Sequence, residues 1–348
     1  MDFIYWVVSR DCNQTCPHCY NDSGPGAPGL TLDQIDRVVA NLPDPARVPI
    51  DHIMISGGEI LVWPELLFHT LSSIYKKFGD ATELMVQTNG DLLDEATLDR
   101  LVDHHVSRVD IASQDKYHKA VSVRRKPEVM ALLNSRGYVE MPYAGWKPLA
   151  ERQKTSAFWG ATEDLWIGPL WPRGRAMKNG LSKASATDKF CSLWSGGQKF
   201  LDYNFPRGHG NEVSLQLADL YPCCQMTCRP LGSLLETPLL DILDECAKNP
   251  VFQAINQGAP QRMGESLGVT QEYAEKRTLE LGNECLWCDE FFAEHAPGLL
   301  HTKPTSTTRG LVDVTIAKSP RKLKSAITSA VTSASDRSVE NIGTSINV

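Results

Sequence analysis

Apolar and polar positions alternate in blocks along the first third of the chain. Residues 3–9, from Phe3 through Ile4, Trp6 and Val8 to Ser9, form an almost unbroken β-prone apolar run. Such a run predicts a strand buried in a parallel sheet. Three similar runs follow at 52–56, 83–88 and 108–112. Each ends in a short polar segment: Gly57, Gly58 and Glu59 after the second, Asn89 and Gly90 after the third, Ser113, Gln114 and Asp115 after the fourth. Between them lie stretches of helical period at about 64–77 and 94–105, and Thr31 with Gln34 opens a further helix in the capping-box pattern. Alternating strands and helices with short polar loops predict a parallel α/β barrel or partial barrel. In such folds the chemistry sits at the C-terminal ends of the strands, where every one of these polar segments falls.

The loop after the first strand carries Cys12, Cys16 and Cys19 in the spacing C-x3-C-x2-C, with His18 just before the last cysteine. Three thiolates on one loop hold three corners of a 4Fe–4S cube and leave the fourth iron without a protein ligand, whereas closed cubes take four cysteines. Two plainer readings compete. Zinc sites favour C-x2-C pairs with a matching second pair, and nothing near Cys12 supplies a fourth ligand. Structural disulfides need an oxidising compartment, and the chain shows no signal-peptide pattern.

With Gly57, Gly58 and Glu59 after the second strand and Thr88, Asn89 and Gly90 after the third, the first half of the chain resembles the radical S-adenosylmethionine (SAM) enzymes. The resemblance implies a partial (β/α)6 TIM-like barrel and a cube on Cys12, Cys16 and Cys19 whose open iron is chelated by SAM. It also implies reductive cleavage of SAM to a 5′-deoxyadenosyl radical, fed by a flavodoxin- or ferredoxin-like electron donor. Glycine lets backbone approach a ligand closely, so Gly57 and Gly58 are expected at the methionyl amine with the Glu59 carboxylate. His18 and Tyr20 are expected to flank the adenine. Asn89, Ser113 and Gln114 complete the expected cofactor-binding set. Ile60 stands where the family often has proline, which alters a turn and no ligand.

Seven further cysteines occupy the second half: Cys191, Cys223, Cys224, Cys228, Cys246, Cys285 and Cys288. A lone cysteine, a cysteine closing a short hairpin (residues 212–223) and a distant C-x2-C pair resemble the twitch extension of the radical SAM family, a shortened relative of SPASM. The resemblance implies a second, auxiliary 4Fe–4S cluster on Cys191, Cys223, Cys285 and Cys288. Cys224 competes with Cys223 for its place, and a closed zinc site of four thiolates is the rival reading. Cys246 falls on an apolar helical face, where a small buried hydrophobe is the default. Trp171, Pro172, Arg173, Gly174 and Arg175 join the halves and resemble a junction common in these extensions. Arg175 there pairs with a SAM or substrate carboxylate, or sits on a solvated turn.

The expected organisation is a barrel over 1–175, a small twitch-like domain over 176–300 and a disordered tail over 301–348. That tail holds sixteen Ser or Thr among its 48 residues and no Phe, Trp or Tyr, too little apolar surface to order itself. A formal charge of −7 and the lack of a basic stripe with interleaved aromatics argue against nucleic acid. No apolar run reaches membrane-spanning length, and oxygen-labile clusters with many free thiols suit a cytoplasmic setting.

The expected function is a radical SAM oxidoreductase of twitch type that oxidises a small polar metabolite, such as a sugar, cyclitol or nucleoside-like molecule, by two electrons. A ribosomal-peptide maturase is the alternative. The first strand at Phe3 leaves no place for an N-terminal leader-binding domain, which favours small molecules. A redox-neutral epimerase or decarboxylase stays open, with Cys224 or Cys228 as hydrogen-atom donor.

Overall fold

The computed structural model describes residues 1–141, 153–161, 170–193, 199–204 and 210–301. The expected tail lies outside these residues except for His301, and so do Trp146, Trp166 and Trp194 of the second half. In chain order the first elements are β1 (Phe3–Ser9), α1 (Leu32–Asn41), β2 (His52–Gly57), α2 (Pro64–Phe78), β3 (Glu83–Thr88), α3 (Glu95–Asp103) and β4 (Val106–Ile111). They continue with α4 (Ala120–Arg124), α5 (Lys126–Ser135), β5 (Val139–Glu140), β6 (Thr155–Phe158), α6 (Gly174–Lys178) and α7 (Phe190–Leu193). The last are β7 (Glu212–Gln216), β8 (Asp219–Tyr221), β9 (Gly232–Ser233), α8 (Leu239–Ala247), α9 (Pro250–Asn256), α10 (Gln271–Leu281) and α11 (Glu284–Glu294).

Among the described residues the strands form one nine-stranded sheet in the order β5-β6-β4-β3-β2-β1-β7-β8-β9. Pairing is parallel from β5 through β7, and only β7 with β8 and β8 with β9 run antiparallel. This is the mixed α/β, mostly parallel architecture of a partial barrel. Residues 212–233, read from the sequence as part of a separate small domain, continue the same sheet on the outer side of β1.

Strand alternation sorts the two faces. Ile4, Trp6 and Val8 of β1, Ile53 and Ile55 of β2, Leu84 and Val86 of β3, Val109 and Ile111 of β4, and Val213 and Leu215 of β7 all enter the hydrophobic core. Trp6 is fully buried and its ring N–H donates to Leu217 O at 2.7 Å, tying β1 to the turn after β7. Helix α1 starts where its capping box places it: Thr31 and Gln34 satisfy each other's backbone N–H. Asp94 caps α3 through the Thr97 N–H at 2.8 Å, and the helix closes at His104, with His105 in the left-handed region. That end comes two residues before the one its periodicity suggests.

Candidate active site at the C-terminal strand ends

The cysteine loop leaves β1 and folds against the end of β2. Gly58 N donates to Ser9 O and Glu59 N to Asp11 O, both at 2.8 Å. A Cβ on Gly58 would stand 2.4 Å from Asp11 O and 2.6 Å from Arg10 O. Gly58 is therefore glycine because the cysteine loop lies directly on it, and its N–H is already used. Cys12 and Cys16 are buried and Cys19 is half-buried. Each thiol donates to a nearby amide oxygen: Cys12 to Asn13, Cys16 to Gln14 and Cys19 to Asn21. Burial pushes the Cys12 thiol up to about 12, with Glu59, Cys16 and Cys19 adding to the shift. Three soft sulfur donors on one short, braced loop fit an iron–sulfur group better than a hard cation.

Arg175, at the start of α6, is placed differently from its expected pairing with a ligand carboxylate. Its guanidinium donates to the carbonyls of Cys16 at 2.8 Å and Ser23 at 2.6 Å, and its backbone N–H to Cys19 O at 2.8 Å. Gly174 makes this possible: its φ is +51°, and a Cβ there would fall on the Tyr20 and Cys19 carbonyls. Arg175 thus clamps the cysteine loop.

Glu59 is fully buried, and both carboxylate oxygens are occupied. Oε1 accepts from Thr88 Oγ1 at 2.6 Å and Leu61 N at 3.0 Å, and Oε2 accepts from Asn89 N at 2.6 Å. Burial raises its pKa against these three donors. Asn89 hands the connection on, donating to Asn13 Oδ1 at 2.8 Å, while Gln14 reaches Asp91 at 2.7 Å. The ends of β2 and β3 and the cysteine loop therefore form one hydrogen-bonded unit. Ser113 and Gln114 lie buried at the end of β4, and Gln114 N donates to Trp159 O at 3.0 Å.

Two residues beyond the sequence-derived set join this rim. Asp115 accepts from the backbone of Tyr117, His118 and Ala161, and both its oxygens lie 3.0 Å from His118 Nδ1. Burial pulls His118 down, but its Asp115 and Cys16 partners raise it to about 10. Burial lowers His18 to about 4, so that ring is neutral. His18 stacks on Tyr117 with centroids 4.9 Å apart. Asp115 stood in a flagged polar segment, but nothing in local spacing says that the next turn brings His118 back to Cys16.

The sequence model of the radical SAM superfamily matches residues 6–130, the span that carries β1 to β4 and this rim. Residues 6–130 thus carry a radical SAM domain. No curated protein matches it. Among solved structures, BtrN in complex with AdoMet and 2-DOIA aligns with a TM-score of 0.46 at 15% identity, covering 78% of this chain and 93% of that one. Native anSMEcpe with bound AdoMet aligns at 0.41 and 13% identity, over 85% and 99%. Streptococcus suis SuiB bound to precursor peptide SuiA aligns at 0.46 and 12%, over 73% and 66%. Likeness at this level leaves the reaction open.

Outside the family-matched span lies a second set of thiols. Cys285 and Cys288 share one face of α11, Cys191 lies on α7 and Cys223 follows β8. The charge of Cys223 acts on Cys191, Cys285 and Cys288 alike, and burial raises all four. Arg173 closes the group, donating to the carbonyls of Gln225, Met226 and Cys285 and pairing with Asp289 at 2.8 Å. Cys224 is bonded differently: its thiol donates to Glu212 at 3.3 Å, and Ser214, Tyr5 and Tyr20 lie near it as well as Cys223. Cys246 is buried in the core of α8 and Cys228 is exposed.

The sheet face opposite the core carries a group of polar side chains beside the buried Val7, Met54 and Met85. Tyr5 meets Ser56 at 2.8 Å and also bonds Gln87 and Tyr20, and Tyr20 bonds Gln216. Gln216 is 1% exposed, and its Oε1 is a buried acceptor without a partner. The side chains Tyr5, Ser56, Gln87, Ser214 and Gln216 thus present neutral donors and acceptors from four strands. They lie beside Tyr20, which follows Cys19, and Cys224, which follows Cys223. Among the described residues no helix is long and apolar enough to cross a membrane.

Proposed function

We propose that this chain is a radical SAM oxidoreductase that takes hydrogen from a carbon of a small polar metabolite and oxidises it by two electrons. Cys12, Cys16 and Cys19 would hold a 4Fe–4S cluster that binds SAM, and Cys191, Cys223, Cys285 and Cys288 an auxiliary one. When bound, these groups supply the 5′-deoxyadenosyl radical and an acceptor for the second electron. The protein orients the substrate and keeps water out. The observation that carries the substrate class is the neutral hydrogen-bonding face of Tyr5, Ser56, Gln87, Ser214 and Gln216. Hydroxyl and amide groups there match the hydroxyls of a sugar, cyclitol or nucleoside, and the unpartnered Gln216 oxygen calls for a donor. A flavodoxin- or ferredoxin-like donor in a reducing cytoplasm would supply the first electron.

Cys224 favours a second reading, a redox-neutral outcome. Its thiol, bonded to Glu212, lies beside the tyrosines of this face, where it can return a hydrogen atom to the substrate. One experiment separates the readings. Reconstituted, reduced protein is given SAM and a panel of cyclitols, aminosugars and nucleosides, with 5′-deoxyadenosine and product mass as readouts. A substrate that accelerates deoxyadenosine release and loses two hydrogens supports the oxidoreductase. A product of unchanged mass in H2O that gains one deuterium in D2O, or one that has lost CO2, supports the redox-neutral reading. Acceleration by precursor peptides alone refutes both small-molecule readings.

A further inference from the structure

Three candidate metal ligands meet beside the cysteine loop. Cys16 Sγ and one ring nitrogen each of His18 and His118 lie within 4.8 Å of one another. Cys16 is buried and the two rings half-buried, and the rings meet edge to face with centroids 4.9 Å apart. His118 turns Nδ1 to the Asp115 carboxylate at 3.0 Å, which leaves Nε2 as its ligating atom. Asp115 is itself fixed by three backbone N–H groups. A carboxylate behind a ligating imidazole is the usual outer partner of a zinc-bound histidine, where it sets the tautomer and the ring orientation. His18 adds an independent sign. Its Nδ1 is a buried atom with no hydrogen-bond partner, and such an atom calls for a ligand.

We propose that Cys16, His18 and His118, with Asp115 behind His118, form a site for a single Zn2+ ion in the cluster-free protein. One thiolate and two imidazoles suit this borderline ion, with the fourth tetrahedral position left to water. Zinc outcompetes ferrous iron at a given nitrogen and sulfur site. The proton on His118 leaves when the metal enters. Cys16 cannot serve this ion and the cube together, so zinc would block loading of the SAM-binding cluster. That consequence rests on the proposed cluster role of Cys16, whereas the zinc site itself does not.

The test is a titration of the full chain, prepared free of iron with its thiols reduced, with Zn2+ against a chromophoric chelator. The second thiol set takes up zinc in every variant, so the signal is the difference between variants. His118→Ala should bind one equivalent fewer than the unmodified protein, and Cys12→Ala the same number. Asp115→Asn should bind at this site about 10- to 100-fold more weakly. Circular dichroism identifies a misfolded variant, and His18→Ala then replaces His118→Ala with the same expected loss. An unchanged count in both histidine variants overturns the proposal. So does loss of the same equivalent in Cys12→Ala, which would assign the ion to the cysteines. Reconstitution with iron and sulfide comes last. In a variant without the second thiol set (Cys285→Ala with Cys288→Ala), zinc-preloaded protein should take up about four irons fewer than zinc-free protein. If zinc-free protein takes up no iron that depends on Cys12, the cluster reading fails while the zinc count stands.

Discussion

Removing the Glu59 carboxylate should destabilise the fold as well as weaken SAM binding. Glu59→Ala leaves the backbone N–H groups of Leu61 and Asn89 facing a void, since their acceptors at 3.0 and 2.6 Å are gone. The Thr88 hydroxyl loses its acceptor too, but it can rotate and still accepts from Gly90 N at 3.0 Å. Each orphaned buried donor costs about 1–3 kcal/mol, so the two N–H groups together cost about 2–6 kcal/mol. Relief of an unfavourably buried carboxylate, evident in its raised pKa, offsets part of this. A net loss of about 3 kcal/mol is expected, roughly a 150-fold change in the folded-to-unfolded ratio. Glu59→Gln keeps an acceptor for Thr88 and Leu61 but sets an amide N–H against Asn89 N, and about 1–2 kcal/mol is expected. Urea midpoints of the iron-free chain give the stability, and calorimetry with SAM on the reconstituted protein gives the affinity. The reasoning is refuted if Glu59→Ala unfolds within about 0.5 kcal/mol of the parent while SAM affinity still collapses. Glu59 would then be free to meet the ligand directly.

Three further outcomes are expected. Arg175→Ala should leave the chain folded but lower the iron held by the first cysteine loop, measured by iron assay after reconstitution; Gly174→Ala should do the same, because a Cβ would strike the Tyr20 and Cys19 carbonyls. Cys223→Ser should lose the auxiliary iron, whereas Cys224→Ser should keep it, and equal loss from both would overturn the assignment of their faces. The half-buried His52–Glu83 pair at 3.0 Å should make stability depend on pH. Burial opposes the charge on His52, but Glu83, with the Asp2 carbonyl and Asp51, outweighs it and raises the His52 pKa above 6.5. Its contribution is therefore full below about 6.5 and fades as pH rises through the raised value. Burial raises Glu83, but its bonds to His52 and Ser107 lower it below 4.5, so its share fades as pH falls through that lowered value. The pair contributes most between these limits, and His52→Gln should flatten both limbs in thermal melts recorded across pH.

The elements legible in the sequence are those whose signal is local. The runs behind β1 to β4 are bounded by their own polar ends, and the α1 capping box lies in four consecutive residues. The three-cysteine loop follows from short spacings, whereas its packing on Gly58, a residue expected at a ligand amine, does not. What stayed hidden depends on chain returning from far away. No periodicity near Glu212 shows that β7 will pair with Phe3 to Val7 of β1. Nothing around His118 shows that its ring will meet Cys16. Spacing left Cys223 and Cys224 as rivals because adjacent residues differ only in the side they face, and that side depends on a sheet joined across the whole chain. The Arg175 fork was visible, but its partners are backbone carbonyls, which no sequence pattern marks.

The junction tripeptide shows how far one local motif can reach once those partners are known. Gly174, in a conformation open mainly to glycine, lets its two flanking arginines serve different thiol sets. Arg175 holds the Cys16 and Ser23 carbonyls, and its charge favours the Cys19 thiolate. Arg173 holds the Gln225, Met226 and Cys285 carbonyls, and its charge favours the Cys223 and Cys285 thiolates. Burial raises these thiols toward the neutral form, while metal binding needs the thiolate. Each set therefore needs a fixed positive charge that water cannot screen, and guanidinium stays protonated at any working pH. Lysine could supply the charge, but it lacks the planar fork that reaches several carbonyls at once. Arg173→Lys and Arg175→Lys should therefore each leave the chain folded and lower the iron of its own thiol set alone.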